Sequence, residues 1–290
     1  MKTRNNHKSL RRDTRAVSPA ISTVVLTAAG IVMILIAMSY ANNILSLKMA
    51  QNEYSTNKQF MQTTAQQIDD IAWTVGRTQT VSFTNRYGNV QFQSIALNYS
   101  FRLHYSSTNT YENLNISGKT GIILYNMPVG SYSLGNNYFQ RLPSNVTTPF
   151  LLSGSTAPIS QVICEQKVPM KDGTYSRIAL VPNMRVLTST VTSTNYFKFY
   201  LPDIENGTNL YRSQSITLTG NGITKVTRSG VDQVIISVSF PKAASLGFDS
   251  SFFNFNSTSI TLNASSTPKV PSNSVVEFYV GKVVVAIGQV

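Results

Sequence analysis

The sequence predicts an α+β protein: a long N-terminal helix, transmembrane then amphipathic, followed by a β-sandwich-like antiparallel head domain. Three observations carry this. Ala20 to Ala41 is an apolar run of 22 residues with no charge. Beyond it Leu47, Tyr54, Met61, Ile68 and Val75 recur every seven residues, which marks one face of a helix. From about residue 80 the pattern switches to alternation, the period of a half-buried strand.

The apolar run comes first. About 20 residues cross a hydrocarbon core of ~30 Å as a helix, so 20–41 is a transmembrane segment. Ser18 is placed to cap the helix, and Pro19 sits in the first turn, where its missing N–H costs nothing. Ahead of it, Lys2, Arg4, Lys8, Arg11, Arg12 and Arg15 stand against Asp13 alone, leaving 18 basic and 11 acidic residues over the remainder. The +12 net charge is therefore densest just before the run, where the positive-inside rule predicts a cytoplasmic N-terminus and an exported remainder. No basic stripe with interleaved aromatics occurs elsewhere, so nucleic acid is not an expected partner.

The seven-residue recurrence extends the helix. Its interleaved positions are mixed, Ala50 and Ile71 apolar, Asn57 and Thr64 polar. Together they predict one helix over 17–76 with Gly76 ending it; from Ala20 to Val75 it runs on the order of 80 Å at 1.5 Å per residue. This length separates the segment from a removable secretory signal. "SYA" at Ser39–Ala41 has small residues at signal-peptidase spacing, but a signal core is typically 7–15 residues.

The head, 77–290, reads as short strands at 80–84, 89–97, 100–105, 121–126, 160–168, 176–181, 195–201, 215–220, 232–240 and 259–263. Gly, Pro, Asn and Ser punctuate them, as in a sandwich or barrel of antiparallel strands. The C-terminus reads as a hairpin, "VVEFYV" and "VVVAI" about a Gly281-Lys282 turn. "AASLGFDSSFF", 243–253, reads as a short helix or a loop. Residues 143–160, rich in Pro, Ser, Thr and Gly, form either a break between two lobes or a long loop within one sandwich.

The stretch "TRAVSPAISTVVLTAAGIV" resembles the N-terminus of archaeal type IV pilins and pilin-like surface proteins. In that family a basic leader ends in Lys or Arg followed by Gly or Ala. A prepilin peptidase cuts there, before an apolar segment that often begins Val-Ser-Pro. The resemblance implies a class III signal peptide, with 1–16 a leader closed by Arg15 and Ala16 and the mature chain starting at Val17. Two departures stand out: Ala16 where Gly is more usual, and Ile21 at the fifth mature position, where bacterial type IV pilins carry Glu. The resemblance covers residues 11 to about 45. It implies a subunit that assembles with other pilin subunits, as a homo- or hetero-polymer, through its membrane helix into a cell-surface filament.

Signs of chemistry are few. Cys164 is the only cysteine, which excludes an intramolecular disulfide and cysteine metal sites; its alternating setting reads as a small buried hydrophobe. His104 stands alone in a strand and reads as structural or solvated. Asp203 to Thr208, "DIENGT", has oxygen ligands at alternate positions but lacks the downstream Glu of a calcium loop, and reads as an ordinary turn. Asp69 and Asp70 diverge by about 100° on a helix and read as a solvated face. No nucleophile elbow, P-loop or dinucleotide fingerprint is present. An enzyme is therefore the least supported class, and no cofactor or metal is expected.

Six N-x-[ST] sequons, at Asn98, Asn115, Asn145, Asn206, Asn256 and Asn263, are candidate N-glycosylation sites of an exported glycoprotein. Two functions follow from the whole reading. The first is a pilin-like subunit displaying its head outside the cell for adhesion to a surface or cell ligand. The second is a single-pass membrane-anchored envelope protein that binds a ligand and does not polymerise.

Overall fold

The computed structural model describes residues 18–143, 150–170, 172–209, 214–243 and 258–288. Arg15, Ala16, Val17, Asn145 and Asn256, and 243–253 beyond its first residue, lie outside the described residues. The α+β class holds: a long helix, α1 (Ser18–Ala72), precedes a large, mostly antiparallel sheet. The chain divides into two compact units, the first ending at Met49 and the second running over Ala50–Val290.

The second unit's sheet has thirteen strands among the described residues. They are β1 (Thr78–Ser82), β2 (Asn89–Tyr105), β3 (Thr110–Asn113), β4 (Lys119–Pro128), β5 (Tyr138–Leu142), β6 (Leu151–Ser153) and β7 (Ser160–Gln166), then β8 (Tyr175–Pro182), β9 (Met184–Val191), β10 (Thr194–Asn209), β11 (Ser215–Ser239), β12 (Ser259–Leu262) and β13 (Ser274–Ile287). Ten lie in the order β5-β7-β8-β4-β2-β11-β13-β10-β9-β6, while β1 and β12 join β11 and β3 joins β2. Two pairings are parallel, β10 with β13 and β6 with β9.

The sheet folds over, so that β10 meets β4 without backbone pairing. The Thr120 hydroxyl closes the seam by donating to Pro202 O and accepting from Ile204 N, each at 3.0 Å. Both faces carry a core. On β4 successive residues point to opposite faces: Ile122 and Leu124 join Phe101, Phe199 and Phe278 on one side. Ile123, Tyr125 and Met127 face the other, where Ala50, Tyr54, Met61, Ile68 and Ile71 of α1 cover them. That is why β4, β7 and β8 are buried along almost their whole lengths.

The buried stripe is shorter than the recurrence that predicts it. Tyr54, Met61 and Ile68 are buried, but Leu47 and Val75 are 50% and 62% exposed, and α1 stops at Ala72. The polar interleaved positions are buried too. Asn57 Nδ2 donates to Thr84 O at 2.7 Å, and Thr64 Oγ1 donates to Phe60 O at 2.9 Å, so neither leaves an unpaired buried group.

Three expectations for the strands are corrected. The segments at 89–97 and 100–105 are one strand, β2, carrying a bulge between Gln93 and Leu97. Those at 215–220 and 232–240 belong to one 25-residue strand, β11. The C-terminal hairpin is absent: β13 runs unbroken through Gly281 and Lys282, pairing with β10 and β11 on either side. Glycine at 281 serves a close approach. A Cβ there would stand 2.3 Å from Ala72 O, and one at Gly220 would stand 2.4 Å from Thr74 O. The end of α1 rests on these two bare backbone positions.

Candidate functional site

In the first unit the apolar side chains of α1 find no cover. Val25, Met33, Ile34 and Leu35 are each about three-fifths exposed, and every residue from Ile31 to Ile36 is among the exposed large hydrophobics. At 3.6 residues per turn, six consecutive positions cover the whole circumference. A helix apolar on all sides belongs in lipid or in a bundle of other helices. By length and composition it suffices to cross a membrane.

A second feature fixes α1 on the head. Glu53, buried at 7% exposure, accepts from three successive backbone amides, Arg86, Tyr87 and Gly88, at 3.0–3.1 Å. The Tyr125 hydroxyl adds a fourth donor at 2.9 Å, and burial followed by the Glu53 carboxylate pushes that phenol's pKa up. Gly88 is required here because a Cβ would lie 2.4 Å from the Tyr125 ring. Sequence reading missed this clasp, because no local pattern marks Glu53 as buried.

The residues singled out in the sequence are scattered. Cys164 is buried, and burial raises its thiol pKa against the pull of Lys58 and Tyr54. His104 Nδ1 lies 2.7 Å from Asp232 Oδ1, beside the Tyr111 ring. Asp69 is not merely solvated: it accepts from Arg185 NH1 at 3.0 Å and Trp73 Nε1 at 3.2 Å. Asp70 is exposed and pairs with Arg77. Residues 203–208 form neither a calcium loop nor a turn but part of β10, parallel to β13. No group of three His, Cys, Asp or Glu gathers for a metal among the described residues.

Four sequons are described. Asn115 lies exposed between β3 and β4, and Asn206 is exposed on β10. Asn98 is half-buried on β2, paired with Lys119 and Ser239. Asn263 Oδ1 accepts from the backbone of Ser265, in its own sequon, at 2.9 Å. The fold brings two sequons together: Ser117, of the Asn115 sequon, and Asn206 line one cavity.

No protein-family model, curated protein or solved structure matches this chain.

Proposed function

We propose that this protein is an archaeal type IV pilin-like subunit. It assembles through its N-terminal helix into a cell-surface filament and displays the β-rich head outside the cell for adhesion. One observation carries the reading: α1 over 21–47 is exposed, and at 31–36 it is apolar around its whole circumference, while the same helix from Ala50 is amphipathic and packs on the sheet. A plain anchor needs only the first property. A subunit that carries a head on a polymer through one helix needs both. The basic leader, the Arg15-Ala16-Val17 junction and the Ser18-Pro19 start add support from sequence, and the partners are a membrane, a prepilin peptidase and further pilin subunits.

Val25→Asp and Ile34→Asp test polymerisation. A carboxylate at the centre of a transmembrane helix costs roughly 2.5–3.5 kcal/mol on insertion scales. Both variants are expected to be absent from filaments seen by electron microscopy. Filaments that incorporate them contradict the proposal. A wild-type chain that stays in the membrane as a monomer supports the non-polymerising anchor instead.

A further inference from the structure

The seam between β10 and β4 opens into a cavity of about 260 Å³ lined by Ser94, Ile95, Ser117, Lys119, Asp203 and Asn206, with Glu205 at its side. Its wall is an irregular piece of β2. The bulge between Gln93 and Leu97 holds Ile95 at φ 55°, in the left-handed region that a β-branched residue seldom occupies. Ile95 is 39% exposed, so this wall presents apolar surface.

Asp203 is the unusual group. It is 4% exposed, yet its side chain's only hydrogen bond among the described residues is a long one, from Ser117 Oγ to Oδ2 at 3.4 Å. A buried carboxylate ordinarily collects several donors; Glu53 in the same head collects four. Burial and the neighbouring Glu205 push Asp203 up to about 6, against the pull of Lys282 and Ser117. Lys282 Nζ sits 2.8 Å from Glu205 Oε1, and Lys119 lies on the rim, so two carboxylates meet two ammonium groups. That balance favours neither a bare cation nor an anion. It leaves an acceptor short of donors, hydroxyl, amide and ammonium groups around it, and an apolar wall.

We propose that this cavity binds one residue of a saccharide, with neighbouring ring hydroxyls donating to Asp203 and the ring's C–H face against Ile95. The site lies wholly within 50–290 and stands apart from how the membrane helix is used. The saccharide has two sources with the same chemistry, a free or foreign glycan and a glycan carried on Asn206 at the cavity edge.

The test uses the full chain in a detergent without a sugar headgroup, observing isoleucine methyl resonances. One arm takes protein from a host without N-glycosylation and adds methyl glycosides of glucose, galactose, mannose and N-acetylglucosamine. The other compares glycosylated protein with its Thr208→Ala variant, which lacks the Asn206 sequon. The proposal expects the Ile95 and Ile204 signals to move with an added glycoside, or to differ between glycosylated protein and Thr208→Ala. Where a glycoside binds, Asp203→Asn should weaken it about tenfold or more, while Asp70→Asn leaves it unchanged. Binding should also fade as pH falls through about 6 and Asp203 takes up its proton. Unmoved Ile95 and Ile204 signals in both arms, or undiminished binding by Asp203→Asn, overturn the proposal.

Discussion

The Tyr125 hydroxyl donates to the Glu53 carboxylate at 2.9 Å, tying the helix to the fourth strand at a point where three backbone amides converge as well. A carboxyl group shared by four donors is among the stronger polar contacts a head of this kind can make. Removing it leaves three part-buried N–H groups without their acceptor, a cost beyond that of the bonds themselves. Glu53→Gln keeps the shape but loses one acceptor oxygen, and is expected to lower stability by about 2–4 kcal/mol. Tyr125→Phe removes one donor only and should cost about 1 kcal/mol. Thermal melts of the full chain in detergent compare them. Equal costs for the two variants would mean the backbone amides contribute nothing.

Asp203 predicts the opposite sign. Its folded pKa is raised, from an ordinary 3.8 to about 6, so the folded state holds the proton more tightly than the unfolded chain does. Its contribution to stability is present below about pH 4 and is lost as pH rises through about 6. At neutral pH the ionised carboxylate is a burden, and Asp203→Asn should stabilise the head by on the order of 1 kcal/mol. At pH 4 the variant and the parent should melt together. A variant less stable than the parent at neutral pH would show that Asp203 is satisfied by its protein surroundings.

The amphipathic half of α1 belongs to the head's core. Tyr54, Phe60, Met61, Ile68 and Ile71 are buried against Ile123, Val162, Ile178 and Leu180, and without them that face of β4, β7 and β8 meets water. A chain beginning at Gln51 should therefore outlast one beginning at Arg77 by several kcal/mol, on the order of 10 °C in melting temperature for a domain of this size. Equal midpoints would contradict the packing.

These particulars show what the sequence could reveal. The apolar run and the seven-residue recurrence are local patterns, and α1 follows them. Asn57, Thr64 and Glu53 were opaque because polarity on a helix suggests an outward face unless the partner strand is known; Thr84 and the 86–88 amides come from elsewhere in the chain. Gly281 was misread for a related reason. A glycine followed by a lysine between two apolar runs looks like a turn, and only the approach of Ala72 O explains it as part of a strand. The Asp203 cavity is assembled from β2, β4 and β10, so no single stretch announces it. Its faint trace was the "DIENGT" segment, legible as oxygen-rich but not as a strand.

The proposed function requires that the chain be matured as a pilin. On the proposed reading, the basic leader would hold the Ala16–Val17 bond at the cytoplasmic membrane face, where a prepilin peptidase would cut. Mass spectrometry of the mature N-terminus, taken from membranes of the source cell, tests this directly. The expected result is a chain starting at Val17, and unprocessed protein for Arg15→Glu. An N-terminus at Met1, one at Asn42, or normal maturation of Arg15→Glu would contradict it.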